Sequence, residues 1–348
     1  MRKHYLDNLR WFIIILVLIF HTVCIFSSCH AAMSYNTNGI EALDALGYLI
    51  YPWFMPCLFV VAGMSARYAI AKTDRRQFFR SRCKKLLIPF IAYMVLIGPF
   101  AAELAFKTTN MAELFAALPA PVLFLIRVVN GMGPAWFLLQ LFLISWLFLL
   151  FLKLDSKEKL VQLGGKCNLP ILLLLFFPVL LSAQVLYFAF TFRNGLYLLL
   201  FLLGYYVFSH EHVQAICKKY CLWFLGAGLV CGIAQMLLYW GRVYQEIVNE
   251  PLVMLFTYLM VLAVLGYFGR FFDKTNHAAT YLSRNSFGIY LFHYVPMVYL
   301  AYLLDTRFDL PVIWNYILTF AGTFVTAILL TEGIKRVPVL NRLFGLKK

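Results

Sequence analysis

Charge is what this 348-residue chain lacks first: only 13% of it is Asp, Glu, Lys or Arg, against roughly 25% in a soluble domain that needs a polar coat. Acidic residues are the scarcer kind, 15 against 30 basic ones. The shortage is uneven. Charges sit in short clusters separated by apolar runs of about 20 residues, the length that crosses a bilayer's hydrocarbon core. With 63% hydrophobic residues, a soluble fold is excluded. Lipid offers the backbone no hydrogen-bond partners, so the runs must be helices. Internal repeats, low-complexity tracts and an appended soluble domain are also missing. Residues 1–348 therefore read as one integral-membrane domain, and any chemistry has to be built inside it. The eight cysteines, at 24, 29, 57, 83, 167, 217, 221 and 231, imply no disulfide framework; most fall in spans or in loops on the reducing side. His210, His212, Cys217 and Cys221 do not follow a standard zinc spacing, and no metal is expected. The formal charge of +15 comes without a stripe of interleaved aromatic and basic residues, so no nucleic-acid partner is expected either.

What is present is an all-α pattern, a polytopic membrane helical bundle with about ten transmembrane helices. The spans read as 8–28, 47–71, 86–106, 134–153, 170–190, 194–209, 220–240, 251–270, 285–304 and 311–332. With the N-terminus inside, 25 Lys and Arg fall on the cytoplasmic side and only Lys107, Arg127, Arg193, Arg242 and Arg307 outside. Acidic residues divide seven to eight. A bias confined to the basic residues is how the positive-inside rule works, and it places both termini in the cytoplasm. The expected location is the plasma or inner membrane. Met1-Arg2-Lys3 before an apolar run, with Phe26-Ser27-Ser28-Cys29 beyond it, has the outline of a signal or lipoprotein leader. The run is long for one and carries Arg10 and His21, which favours a retained span. Residues 107–133 read as a long outer loop whose apolar stretch 122–129 is too short to span.

Ionisable side chains within a span cost at least ~2.5 kcal/mol near the centre, so they mark work to be done. Arg10 and His21 are eleven steps apart, which returns a helix to within about 20° of its starting direction and raises it roughly 16 Å. Asp7, three residues before Arg10, is placed to hold the guanidinium. The plainer alternative makes Arg10 a snorkelling anchor and His21 an interhelical hydrogen-bonder. Ser286, Tyr290 and His293 form a polar stripe at i, i+4 and i+7 on the ninth span. Pro296 follows and frees a carbonyl that His293 could meet; an interhelical seam is the alternative. Arg75, Arg76, Arg80, Arg82, Lys84 and Lys85 precede Leu86-Leu87-Ile88-Pro89. They are either a solvated topology signal touching membrane lipids or a receptor for a phosphate-rich cytosolic ligand.

Several stretches resemble, in order, those of the acyltransferase 3 family of integral-membrane acyltransferases. Tyr5-Leu6-Asp7-Asn8-Leu9-Arg10 with His21 beyond it is similar to the family's opening signature. Pro56-Cys57-Leu58-Phe59-Val60-Val61-Ala62-Gly63 resembles its second span, and Phe79 through Pro89 its basic loop. Gly133-Pro134-Ala135-Trp136-Phe137-Leu138 resembles its "WFL" span, and Ser286 through His293 its "S-x-x-x-Y-L-x-H" span. The loop after the second span leans toward the branch that modifies periplasmic glucans. The resemblance implies a ten-span fold carrying an acyl group, acetyl by default, from cytosolic acyl-CoA to a carbohydrate hydroxyl at the outer face. It hands His21 the role of catalytic histidine and Arg10 that of its partner, and gives Arg82 and Lys85 the basic pair. Lys85 stands where the family has Arg, which weakens bidentate phosphate binding there.

The expected chemistry follows. Arg10, Arg80, Arg82 and Lys85 hold the phosphates of acyl-CoA, a co-substrate rather than a resident cofactor. A neutral His21 imidazole takes the acceptor's proton as its oxygen attacks the thioester. Tyr290 and His293 are candidates to donate to the developing oxyanion, and Trp136 and Ser286 to bind the acceptor. An acyl-His21 intermediate is the other route. Rival functions are a secondary transporter or flippase of the cell envelope, and a scaffold without chemistry. Against transport stand the lack of an inverted repeat and of helices broken in matching positions, and the few carboxylates within spans.

Overall fold

Because lipid leaves backbone groups to be satisfied locally, the chain can only be read helix by helix. The computed structural model describes residues 3–28, 39–108, 115, 118–188 and 191–346. Arg2, Cys29 at the end of the leader-like stretch, residues 109–114 and 116–117 of the outer loop, the end of the 170–190 run, Lys347 and Lys348 lie outside the described residues. The described residues hold fifteen helical segments, which we label α1 (His4–Ile25), α2 (Glu41–Ile70), α3 (Arg75–Leu96), α4 (Gly98–Thr108), α5 (Ala120–Asn130), α6 (Trp136–Leu154), α7 (Lys159–Gly165), α8 (Leu169–Ser182), α9 (Asn194–Phe208), α10 (Glu211–Leu238), α11 (Pro251–Phe271), α12 (His277–Phe292), α13 (Tyr294–Arg307), α14 (Val312–Arg336) and α15 (Pro338–Phe344). No strand is present among them, only an isolated bridge between Tyr187 and Arg193.

Six of these helices are long and apolar enough to cross a membrane, and up to nine spans result if each bent pair counts as one. Helices cover the expected spans in chain order, fewer than the ten expected reach span length, and two apolar runs carry breaks that hydrophobicity did not signal. The 86–106 run belongs to α3 and α4, bent by 44° at Ile97. Over the 170–190 run the helix, α8, ends at Ser182. Just before that run α7 and α8 meet at 113°, where Asn168 accepts a hydrogen bond from the Ile171 amide at 3.1 Å and Pro170 follows it. A capped N-terminus with proline in the first turn begins a helix rather than continuing one. The 285–304 run breaks at His293, where α12 and α13 bend by 60°. The stretch 194–209 is one short helix, α9, and the apolar segment in the outer loop is α5, which has no fully buried residue. Within α3 the turn at Cys83–Leu87 is widened, with Ile88 N donating to Cys83 O. Pro89 explains it, since its ring crowds the carbonyl four residues back.

The chain divides into two compact units. One comprises Met1–Leu16, Ala45–Ser81 and Leu143–Ser283. Its centre is α11, buried nearly all round and packed along α10. Pro56 leaves the Pro52 carbonyl of α2 without its helical donor, and the Thr257 hydroxyl donates to that carbonyl at 3.1 Å. Arg193 is 3% exposed; it donates to Asn249 Oδ1 at 3.0 Å and to the Val248 carbonyl at 2.9 Å, fastening the loop before α11. The other unit comprises Val17–Asp44, Arg82–Phe142 and Arg284–Lys348. There the Tyr316 hydroxyl on α14 donates to the Phe26 carbonyl at the end of α1 (3.0 Å) and accepts from the Ile40 amide (3.1 Å). The Phe344 ring of α15 meets Phe292 at 5.1 Å.

In the first unit α2 and α9 touch backbone to backbone at Gly63 and Gly204. A Cβ on Gly63 would lie 2.0 Å from the Phe201 carbonyl oxygen, and one on Gly204 2.2 Å from that of Val60. Small residues permit such approach in membrane helices, where packing rather than water exclusion holds neighbours together. Gly63→Ala is expected to cost about 1–3 kcal/mol through overpacking, seen as a lower thermal midpoint in detergent. An unchanged midpoint would mean that the two helices part freely.

Candidate active site

The break at His293 shapes the site. Pro296, in the first turn of α13, carries no amide proton, so the helix does not run smoothly through this point. His293 sits in the bend, fully buried. Its Nδ1 lies 2.6 Å from the carbonyl oxygen of Tyr290. The carbonyl it meets is thus Tyr290's, three residues before it, and not one released by Pro296. A carbonyl can only accept, so Nδ1 of His293 carries the proton and its Nε2 presents a lone pair in the neutral tautomer. Nε2 lies 2.8 Å from Nδ1 of His21 on α1, and the two rings are nearly parallel, 8° apart with centroids at 5.1 Å. His21 Nδ1 must then be the donor. What remains is the lone pair on His21 Nε2, on a half-buried ring that keeps some accessible surface. A backbone carbonyl thereby sets the tautomers of two histidines in series.

Around the pair stand aromatic rings. Phe20 is 5.5 Å from His21, and Tyr294 meets it edge-on at 6.0 Å. The Tyr290 hydroxyl donates to the carbonyl of Pro134 in the turn before α6. That proton is therefore engaged, and in this arrangement it does not suit the oxyanion role expected of Tyr290. His293, with one nitrogen on a carbonyl and the other facing His21, does not suit it either. Gly133, in the same turn, has φ of +42°, a conformation that side chains resist. A Cβ there would meet the Tyr294 ring at 2.9 Å and the Tyr93 hydroxyl at 3.2 Å. Gly133 and Tyr294 line a cavity of about 260 Å³ whose other walls are Ala101, Ala102, Ala105 and Phe106 of α4 and Asn130 of α5. Trp136, half-buried at the start of α6, is 6.2 Å from Phe137, whose ring is 5.9 Å from Tyr290. Ser286 lies two helical turns before His293 on α12, half-buried.

The cationic residues occupy other positions. Arg10, on the part of α1 in the first unit, donates to Asp7 at 2.8 Å, the pairing expected from their spacing, and also to the Ser65 hydroxyl. Ser65 in turn donates to the Val61 carbonyl at 2.7 Å. Arg80 is exposed on α3 in the same unit, while Arg82, half-buried, and Lys85, exposed, follow on α3 in the second. The structure thus brings His21, His293 and Tyr290 together, with Trp136 one ring further out.

Family comparison decides what kind of protein carries this arrangement. Residues 3–332 match the acyltransferase 3 profile, described as an acyltransferase domain. The chain belongs to the acyltransferase 3 family. No curated protein and no solved structure matches it. It is a multi-pass membrane acyltransferase, and membership in that family argues against a transporter or a scaffold.

Some features of this acyltransferase escaped the reading of its sequence. Ser65 carries no signal tying it to Arg10 across 55 positions. Tyr93, Gly133 and Tyr294 converge from three separate segments. On α14, Asn315, Thr319 and Thr323 fall at i, i+4 and i+8, a spacing legible in the sequence once sought. All three are buried, and Asn315 Oδ1, Thr319 Oγ1 and Thr323 Oγ1 meet no hydrogen-bond partner among the described residues. Within the site, Tyr290→Phe would remove the hydroxyl donor to the buried Pro134 carbonyl, which keeps the Trp136 amide. The expected loss is about 0.5–1.5 kcal/mol of stability, the worth of one hydrogen bond, measured as a fall in the thermal midpoint. A midpoint equal to the parent's would show that the Trp136 amide satisfies that carbonyl alone.

Proposed function

We propose that this acyltransferase moves an acyl group, acetyl by default, from cytosolic acyl-CoA to a hydroxyl of an extracytoplasmic or envelope carbohydrate in the plasma or inner membrane, with His21 as general base. The observation that supports this most is the Tyr290 carbonyl–His293–His21 series, which leaves a single lone pair on an accessible imidazole nitrogen. In the transfer, His21 Nε2 takes the acceptor's hydroxyl proton as the oxygen bonds the acyl carbon. The carbon–sulfur bond breaks, and the CoA thiolate leaves and is protonated. While His21 holds the proton it is an imidazolium, and its Nδ1–H bond to His293 becomes charge-assisted and stronger. His293 acts through His21 and is a positioning residue. It does for His21 what the third member of a hydrolase triad does for its histidine, fixing tautomer and direction.

Arg10, steadied by Asp7 and Ser65, is proposed to meet the charged end of the donor together with Arg80, Arg82 and Lys85. Guanidinium forks suit phosphate oxygens, and a lysine supplies point charge without the fork. Trp136 and Ser286 stay assigned to the acceptor's side. The oxyanion donor is left to a group other than Tyr290 or His293.

The test supplies purified protein in lipid with radiolabelled acetyl-CoA and follows CoA release. His21→Ala is expected to lose about 10²–10⁴ of the rate, the usual worth of general-base help. His293→Ala should lower kcat by at least about tenfold and move the pH–rate profile while the KM for acetyl-CoA holds. His293→Gln, whose side chain can still accept from Nδ1 of His21, should recover part of the loss. Wild-type release by the His21→Ala protein would remove the base from this reading.

A further inference from the structure

The cavity beside Tyr294 is uncharged. None of the residues that line it is ionised at neutral pH: three alanines and Phe106 on α4, Asn130, Gly133 and Tyr294. The charged residues of α4 are not among them; Glu103 and Lys107 pair with each other at 2.9 Å. An anion seated there would lose its hydration with no cation to replace it, a cost that excludes it. Two polar groups are nonetheless on hand. The Tyr93 hydroxyl is fully buried and without a hydrogen-bond partner among the described residues; it is not itself part of the lining, but a Cβ on Gly133, which is, would lie 3.2 Å from it. Asn130 commits its amide nitrogen to the Ile126 carbonyl at 2.9 Å, which leaves its Oδ1 to accept. Apolar and aromatic walls with a few placed polar atoms are what small-molecule sites are made of. The volume of about 260 Å³ lies just under the roughly 300–1,000 Å³ that houses drug-sized ligands, so it admits one ring and little more. Tyr294 forms part of the wall and also touches His21 edge-on at 6.0 Å.

We infer that this cavity is the acceptor subsite and that it takes a single uncharged, hydroxyl-bearing ring, a neutral sugar unit, with one hydroxyl directed past Tyr294 to His21. The inference rests on the acyl-transfer reading above. Tyr93 and Asn130 bind the ring's other hydroxyls, and the aromatic faces of Phe106 and Tyr294 flank its C–H bonds. Acids are refused, because no cation is present among the described residues that line the site.

The test uses the full-length protein in lipid nanodiscs with radiolabelled acetyl-CoA, and glucose and glucuronate as probe acceptors. Glucose is expected to acquire label at least about tenfold faster than glucuronate. Tyr93→Phe, which removes only the oxygen, should raise the KM for glucose about 2–10-fold, the worth of one hydrogen bond, with the KM for acetyl-CoA and the thermal midpoint unchanged. Ala105→Trp, which fills the cavity, should abolish glucose labelling while the thermal midpoint stays near the parent's, showing that the protein is folded. Undiminished glucose labelling by Ala105→Trp, or equal labelling of the two probes, overturns the subsite. Release of CoA by the wild type with no sugar labelled overturns it too, and leaves the acyl-transfer reading standing. No release at all from the wild type removes both.

Discussion

At the end of α12 the carbonyl of Tyr290 accepts a proton from the side chain of His293 rather than serving only its own helix. Nearly everything of chemical interest in this chain follows from that bond. An interior helix break exposes polar backbone that lipid cannot satisfy, so a side chain or a neighbouring helix has to. Here the side chain is an imidazole, and an imidazole that gives a proton on one side must offer a lone pair on the other. The lone pair points at α1, and His21 answers it. One backbone acceptor therefore dictates, two rings away, which nitrogen is free to act as a base. Pro296 is the sequence element behind the bend between α12 and α13, though not the source of the Tyr290 acceptor, because a ring without an amide proton keeps the two helices from fusing into one straight rod.

The parts of this arrangement that a single sequence shows are those set by local physics. Apolar runs near twenty residues gave helices where lipid demands them, and the three-residue step from Asp7 to Arg10 became a hydrogen bond because helical neighbours at that spacing share a face. His21 stood out because a titratable side chain inside an apolar run needs a reason. What stayed hidden were the long-range pairings. The Tyr290 hydroxyl read as available because its partner, the Pro134 carbonyl, comes from 156 positions away. His293 read as a potential donor to substrate because nothing local says that its two nitrogens are taken by Tyr290 and His21. The bend between α7 and α8 lies at Asn168 and Pro170, where the 170–190 span was expected to begin, while the end of α8 at Ser182 was hidden by the hydrophobicity that continues beyond it.

The buried polar stripe on α14 belongs to the same neighbourhood by depth. Tyr316 is tied to Phe26, and five residues back along α1 from Phe26 is His21; five along α14 from Tyr316 is position 321. From the other end, a Cβ on Gly288 would meet Thr331, and His293 is five residues beyond Gly288; five back from Thr331 is position 326. The two anchors bracket Thr323, one of the three side chains whose oxygens lack a partner. A polar atom left unpaired in a helix interior costs about 1–3 kcal/mol, and among the described residues the Thr323 hydroxyl carries that cost near the level of the histidine pair.

That the group behind His293 is a carbonyl rather than a carboxylate has an electrical consequence. A buried aspartate in that place would keep a permanent negative charge inside the bilayer, with the solvation penalty that entails. The carbonyl orients the imidazoles with a dipole alone, so under the proposed transfer a full charge would arise on the pair only for the interval in which His21 held the acceptor's proton. Carrying one elementary charge across a membrane is worth about 2.3 kcal/mol per 100 mV, and a charge that appears part-way through the bilayer feels a fraction of that. On that proposal the proton-bearing step, and no resting state of the pair, would be the one exposed to membrane voltage.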